Sequence, residues 1–345
     1  MSLSNPTQLL LRNADLLKAD APLVVNCPDS GLISELVAIN AHQNISCYNV
    51  NYAEHQALSK KFSALDCQFS AHYQSTQLHD LVIIYFPKSK KEFNFLLAML
   101  TPIISDNGII LVVGENKGGV KSAAKLSKEH VVRCDKVDSA RHCLLVEAIF
   151  NNQRREFNLD SWFEQFSVEI AATTITVASL PGVFSNGELD KGTRLLLENL
   201  PKSINGKVLD FGCGAGVIGS YVKKRYQGTN IEMLDVNALA IASAKRTLTL
   251  NGLEGKVFAS DSLSNVSGQY NTVISNPPFH QGIKTNYHAT ESFLKGIKGH
   301  IAKNGSLTIV ANNFLRYAPI IKAEIAEPQL LINSQGFAIH HCQKQ

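Results

Sequence analysis

The chain has 345 residues, 45% of them hydrophobic and 18% charged, with 22 glycines, 11 prolines and a formal net charge of +4. That balance excludes disorder, collagen and coiled coil, and the length suits two domains that each bury a core. No apolar run reaches the roughly 18 residues of a membrane span, and MSLSNPTQLLLRNADLLKAD at the start lacks a signal peptide's basic and apolar regions, so a cytoplasmic protein is expected. Seven scattered cysteines without a Cys-x-x-Cys pair read as free thiols, and the eleven histidines form no ligand pattern. No metal is expected, and His340-His341-Cys342 reads as a loose polar tail.

In chain order, residues 23–33 (LVVNCPDSGLI) read as a strand, a turn and a helix start. Residues 48–51 (YNVN), 81–88 (LVIIYFPK) and 107–116 (NGIILVVGEN) then each mark the end of a further apolar run. The polar stretch 151–166 is the junction, and 168–180 (VEIAATTITVASL) alternates as a strand or hairpin. Beyond it the same landmarks return in the same order: 208–218 (VLDFGCGAGVI), 234–237 (LDVN), 272–279 (TVISNPPF) and 304–313 (NGSLTIVANN). Residues 238–251 and 291–305 lie between them and read as helices closed by Asn251-Gly252 and Gly305. The chain is therefore read as an internal duplication of a Rossmann-like α/β domain, with units at 1–155 and 156–345. Gly212-Cys-Gly214-Ala-Gly216 answers to Cys27-Pro-Asp29-Ser-Gly31, and Asn276-Pro-Pro-Phe279 to Tyr85-Phe-Pro-Lys88. The first copy keeps fold-forming residues and loses ligand-forming ones, so it is read as degenerate and non-catalytic.

Glycines between a strand and a helix let a ligand approach the backbone at a helix N-terminus. Gly214-Ala-Gly216-Val-Ile-Gly219 also satisfies the dinucleotide pattern, and Asp235, about 20 residues on, suits a ribose in either case. Asp210 separates the two readings. A carboxylate there repels a pyrophosphate but suits S-adenosylmethionine, which carries an ammonium and a sulfonium and no phosphate. Asn276-Pro277-Pro-Phe279 completes the pattern of a methyltransferase acting on a planar amine. The Asn276 side-chain oxygen and the Pro277 carbonyl can each accept one amine hydrogen, and Phe279 offers a stacking face. The donor set is read as Asp210, Gly212, Cys213, Gly214, Gly216, Asp235, Val236, Asp261, Ser262 and Asn276, with Asp261 suited to the adenine amine. The fold class is two tandem Rossmann-like methyltransferase domains, the first degenerate.

The chain also resembles the bacterial ribosomal small subunit methyltransferase C family along essentially its whole length. The resemblance rests on 112–123 (VVGENKGGVKSA), 136–143 (KVDSARHC), 180–197 (LPGVFSNGELDKGTRLLL), 208–217 and 274–280 (ISNPPFH). It implies methyl transfer from S-adenosylmethionine to N2 of guanine 1207 of 16S ribosomal RNA, with the assembled small subunit as substrate. It also implies that the segment from Phe184 to Thr193 closes over the donor's methionine end, although a helix starting at Asp190 explains that stretch as packing too. Family members end in a basic, aromatic strand, and this chain departs from them with GFAIHHCQKQ.

Lys121, Lys125 and Lys128 fall at helical spacing opposite Val120, Ala123 and Ala124. With Lys88, Lys117 and Arg141 they form a candidate RNA-binding surface on the first domain, and a monomer is expected. The motif alone leaves large-subunit guanine-N2, adenine-N6 and glutamine-N5 transfer open as alternatives. A nicotinamide oxidoreductase would leave Asp210 and the Asn-Pro-Pro-Phe run unexplained. A non-enzymatic ribosome assembly factor would leave the intact motifs of the second half without a use.

Overall fold

Each half of the chain builds its own seven-stranded sheet, with one strand order common to both. The structure, a computed structural model, describes residues 3–40, 44–184, 187–277 and 284–345, with residues 284–289 described by backbone alone. It divides into two compact units, Met1–Trp162 and Phe163–Gln345.

In the first unit the strands are β1 (Pro22–Val25), β2 (Ser46–Tyr48), β3 (Asp66–Gln68), β4 (His79–Tyr85), β5 (Ile104–Glu115), β6 (Val131–Ala140) and β7 (Cys143–Phe150). The helices are α1 (Asn5–Arg12), α2 (Ser30–Ile39), α3 (Tyr52–Lys61), α4 (Lys90–Leu100) and a single turn, α5 (Ala123–Leu126). The sheet order is β3-β2-β1-β4-β5-β7-β6. The first five strands are parallel, while β7 runs antiparallel to both β5 and β6. Strands β1 and β4 are covered on both faces, which is why they read as unbroken apolar runs instead of alternating.

The second unit opens with the hairpin β8 (Glu164–Ile170) and β9 (Thr173–Ser179), followed by α6 (Lys191–Glu198). The repeat of the sheet consists of β10 (Gly206–Phe211), β11 (Thr229–Asp235), β12 (Lys256–Ala259), β13 (Tyr270–Ser275), β14 (Ile301–Asn312), β15 (Gln329–Ser334) and β16 (Phe337–Gln343). Helices α7 (Val217–Arg225), α8 (Ala238–Leu250), α9 (Lys284–Gly296) and α10 (Tyr317–Glu324) connect them. The order, β12-β11-β10-β13-β14-β16-β15, matches that of the first unit strand for strand. Identical order in two seven-stranded sheets is the structural form of the duplication.

Several sequence expectations are corrected. The helix expected to run to Gly305 stops at Gly296, and β14 begins at Ile301. Asn304 has φ +60°, and a Cβ on Gly305 would lie 2.9 Å from the Tyr270 carbonyl. Asn-Gly here makes an irregularity inside a strand, where the β13–β14 register shifts, and does not close a helix. Residues 340–342 are no loose tail: they lie in β16, paired on one side with β14 and on the other with β15, and Cys342 is buried. The helix expected to carry Lys121, Lys125 and Lys128 shrinks to a 3₁₀ turn and α5, and Ala124 is exposed. Residues 156–162 belong with the first unit, because Phe157 and Trp162 both pack edge-on against Phe95.

Candidate active site

The carboxyl ends of β10 and β13, neighbouring parallel strands paired from Val208–Thr272 to Phe211–Ser275, bring the second unit's polar groups together. Asp210 is 1% exposed near the end of β10. Its Oδ2 accepts the Gly219 N–H (2.9 Å), while its Oδ1 is buried with no partner among the described residues. Burial pushes this carboxyl up to about 7; the Gly219 N–H opposes the rise and the charge of Asp235 adds to it.

The glycine loop that follows is held from β11. The N–H groups of Gly212 and Cys213 both donate to the Leu234 carbonyl at 2.9 Å. Asp235 accepts from the Gly214 N–H and the Asn237 N–H, each at 2.9 Å, so each oxygen clasps one backbone turn and keeps a further lone pair. Gly216 caps α7 with φ +76°, and a Cβ there would lie 2.9 Å from Ala244. That position requires glycine. Gly212, at φ +70°, faces open space: a Cβ would meet nothing within 4 Å. This is the opening a ligand needs against the loop. Val236 lies within the turn that Asp235 closes on the Asn237 N–H. Cys213 is buried, which raises its thiol well above the usual range, so it contributes backbone and no nucleophile.

At the end of β12, Asp261 is exposed and Ser262 has φ +49°. The buried residue at this corner is Ser260, whose N–H donates to the Asp235 carbonyl (3.1 Å) and whose hydroxyl donates to the Ser262 carbonyl (2.7 Å). Asp261 is thereby fixed next to β11 with its carboxylate outward.

Asn276 directly follows β13, which is tied to β10 by a hydrogen bond from the Ser275 hydroxyl to the Phe211 carbonyl (2.8 Å). Its Nδ2 donates to Thr193 Oγ1 (2.8 Å) and Asp190 Oδ1 (3.3 Å). With the amide nitrogen engaged, Oδ1 is left buried and without a partner among the described residues. Asp190 caps α6: Oδ1 accepts the Thr193 N–H (3.0 Å), and Oδ2 is likewise buried and unpartnered among those residues. Pro277 is buried beside Asn276, and Phe279 lies outside the described residues. The sequence showed Asp190 and Thr193 as an N-cap pattern, Asp-x-x-Thr ahead of Leu195 and Leu196, and the resemblance placed them in the segment from Phe184 to Thr193, but neither pointed to Asn276. Phe184, half exposed, stands with its Cβ 3.9 Å from where a Gly214 Cβ would be.

Position matters here, and the hairpin supplies it. Ser243, Thr247 and Asn251, one face of α8, bond the backbone of β9 and its continuation: Leu180 N–H to Ser243 Oγ, Ala178 N–H to Thr247 Oγ1, Thr176 N–H to Asn251 Oδ1, each at 3.0 Å. The chain thus starts from a fixed point on its way to Asp190.

The first unit closes the equivalent corner on itself. Ser4 and Thr7 on α1 stand where Asp190 and Thr193 stand on α6, and Tyr85 replaces Asn276. The Tyr85 hydroxyl bonds Thr7 Oγ1 (2.7 Å). Asp29, in place of Gly214, accepts from both Thr7 Oγ1 and the Ser4 N–H. Groups that stay open in the second unit bond one another here.

Of the basic residues singled out, Lys88, Lys117, Lys121, Lys125 and Arg141 are all exposed. The Asn116 N–H donates to the His142 carbonyl (2.8 Å), which brings Lys117 beside the Arg141 turn. Lys117 is also paired with Glu115 at 3.3 Å. Among the described residues no group of three or more His, Cys, Asp or Glu is placed to hold a metal ion. No helix there is long and apolar enough to cross a membrane.

Comparison with known proteins matches both units. The family model "Methyltransferase small domain" covers residues 174–341, and "Methyltransferase small domain N-terminal" covers 7–166. A protein of Colwellia psychrerythraea named "Ribosomal RNA small subunit methyltransferase C" is 50% identical over 99% of this chain and 98% of its own. One of the same name from Pseudoalteromonas translucida is 40% identical over 98% of each. Among solved structures, the 16S rRNA N2 G1207 methyltransferase of T. thermophilus, in complex with AdoMet and guanosine, matches with TM-score 0.82 at 20% identity, over 96% of this chain and 91% of that one.

Proposed function

Because the chain belongs to the ribosomal RNA small subunit methyltransferase C family, we propose that it methylates N2 of a guanine in 16S ribosomal RNA, at position 1207, using S-adenosylmethionine. The observation that carries this reading furthest is the pair of open buried acceptors, Asp210 Oδ1 and Asn276 Oδ1, at the carboxyl ends of two paired strands. A buried acceptor without a partner costs stability, and at a strand's carboxyl end each is suited to take a donor hydrogen from a ligand.

Asp210 suits the ammonium of S-adenosylmethionine, the space over Gly212 leaves room for its chain, and Asp235 and Asp261 suit its ribose and adenine. Bound there, S-adenosylmethionine supplies an electrophilic methyl group on sulfur. The guanine N2 is a weak nucleophile, since its lone pair is delocalised into the ring. Asn276 Oδ1 and the Pro277 carbonyl each hold one N2 hydrogen, which aims the lone pair at the methyl carbon, and Phe279 backs the ring. As the nitrogen–carbon bond forms, the carbon–sulfur bond breaks to leave a neutral thioether, and one N2 proton leaves to solvent. The first unit, whose corresponding corner is closed, serves as a positioning domain through Lys88, Lys117, Lys121, Lys125 and Arg141. The substrate is the assembled small subunit, and the enzyme works as a cytoplasmic monomer.

The test is transfer of labelled methyl to small subunits, large subunits and protein-free 16S RNA, followed by nucleoside analysis. The proposal expects label in N2-methylguanosine on small subunits. Label confined to large subunits, or to another nucleoside, contradicts it.

A further inference from the structure

The Asn-Pro-Pro-Phe turn reports a planar amine without saying which one. Guanine differs from the alternatives on the edge that carries the amine. Its N1–H lies beside N2–H₂, giving two adjacent donors, whereas adenine presents an acceptor, N1, beside its amine and glutamine presents a carbonyl oxygen. A site built for guanine therefore needs two acceptors side by side.

Two are present. Asn276 Oδ1 and Asp190 Oδ2 are both buried and unpartnered among the described residues, on side chains 3.3 Å apart through Asn276 Nδ2 and Asp190 Oδ1. Thr193 fixes both, accepting from Asn276 Nδ2 through its hydroxyl and donating its N–H to Asp190 Oδ1. That arrangement uses one oxygen of Asp190 and the nitrogen of Asn276, leaving the other oxygen of each. In the first unit, Ser4 replaces Asp190 and Tyr85 replaces Asn276, and both hydroxyls are engaged with Thr7. Resting on the guanine-N2 reading above, we infer that Asp190 is a specificity residue that accepts the N1–H of the target guanine while Asn276 accepts from N2. A carboxylate at that place rejects an adenine N1 or an amide oxygen by lone-pair repulsion, as a hydrogen-bonding site rejects an analogue that leaves it unpaired.

The test is calorimetric titration of the full chain, saturated with S-adenosylhomocysteine, with guanosine and with 2-aminopurine riboside. The second ligand keeps the N2 amine and lacks the N1–H. The wild type is expected to bind guanosine at least about tenfold more tightly. Asp190→Asn keeps the helix cap and volume and can turn an N–H toward a bare N1, so the ratio is expected to fall to about one or to invert, with S-adenosylhomocysteine affinity held within about threefold. No preference in the wild type, an unchanged ratio in the variant, or equal weakening of both nucleosides overturns the inference. Loss of S-adenosylhomocysteine binding with the ratio intact also overturns it, and assigns Asp190 to the donor. Nucleoside analysis of methylated subunits keeps the two levels apart. Label on guanine N2 with an unresponsive ratio removes only this inference, whereas label on adenine or protein removes the reading beneath it.

Discussion

Asp210 is costly to bury and is kept at the strand end all the same. Its carboxyl, raised to about 7 chiefly by burial, holds a proton in the folded chain that the unfolded chain releases near 3.8. Its contribution to the stability of the free protein therefore falls as pH rises from the ordinary carboxylate range toward 7. With Asp210 holding the donor's ammonium, as proposed, donor binding has the opposite dependence, because an ammonium needs the ionised form. Affinity for S-adenosylmethionine is expected to be flat above about pH 7 and to weaken by up to about tenfold per unit below it, with a proton released on binding. Calorimetry across that range checks this, and Asp210→Asn should abolish the pH dependence, weaken the donor and raise the free protein's Tm at pH 8. Thr193 gives a second prediction. Thr193→Val removes the acceptor that turns the Asn276 amide, and a misaimed amide should lower kcat about 10- to 100-fold while donor affinity is retained. Steady-state kinetics beside a donor titration separate the two. Asn276 was legible in the sequence because its motif is contiguous. Asp190 and Thr193 entered only through the resemblance of their segment, and their bonds to Asn276 were not legible because they form only through the fold.

At the scale of elements, the site depends on how the hairpin enters the second unit. Ser243, Thr247 and Asn251 act on β9 as a neighbouring strand would, supplying partners to backbone groups at its side. Thr247→Val should leave the buried Ala178 N–H unpaired and cost about 1–3 kcal/mol, read as a lower Tm or denaturation midpoint. The sequence reveals α8 by its spacing and the hairpin by its alternation, but gives no sign that hydroxyls on one would serve the backbone of the other. Element ends were the weakest part of the reading for a related reason. Asn-Gly at 304–305 satisfies a helix stop as well as a strand irregularity, and only the pairing with β13 decides between them. In β16 the polar His340 and His341 hid a strand whose Ile339 and Cys342 are buried.

For the whole molecule, duplication was legible from four landmarks in one order, since strand ends that shape a fold persist where ligand contacts are lost. In the first copy, Asp29 and Tyr85 stand where the second has Gly214 and Asn276, and both bond Thr7. The candidate RNA surface was harder to read, because exposed lysines carry no local pattern and the helix expected to array them is one turn long. If that surface guides the substrate, reversing Lys121 and Lys125 to Glu should raise KM for small subunits several-fold and flatten its salt dependence, with donor affinity unchanged. Filter binding and kinetics over a salt series would record it. The central claim, that the second unit methylates a guanine amine held by Asn276, is tested most directly by mapping the methyl group. Small subunits lacking the modification would be treated with wild type or Asn276→Ala, and the 16S RNA digested and read by mass spectrometry. One added methyl, on N2 of guanine 1207, is expected with wild type, and at least about a hundredfold slower transfer with the variant. A methyl on another nucleotide or atom, or full activity in Asn276→Ala, would contradict it.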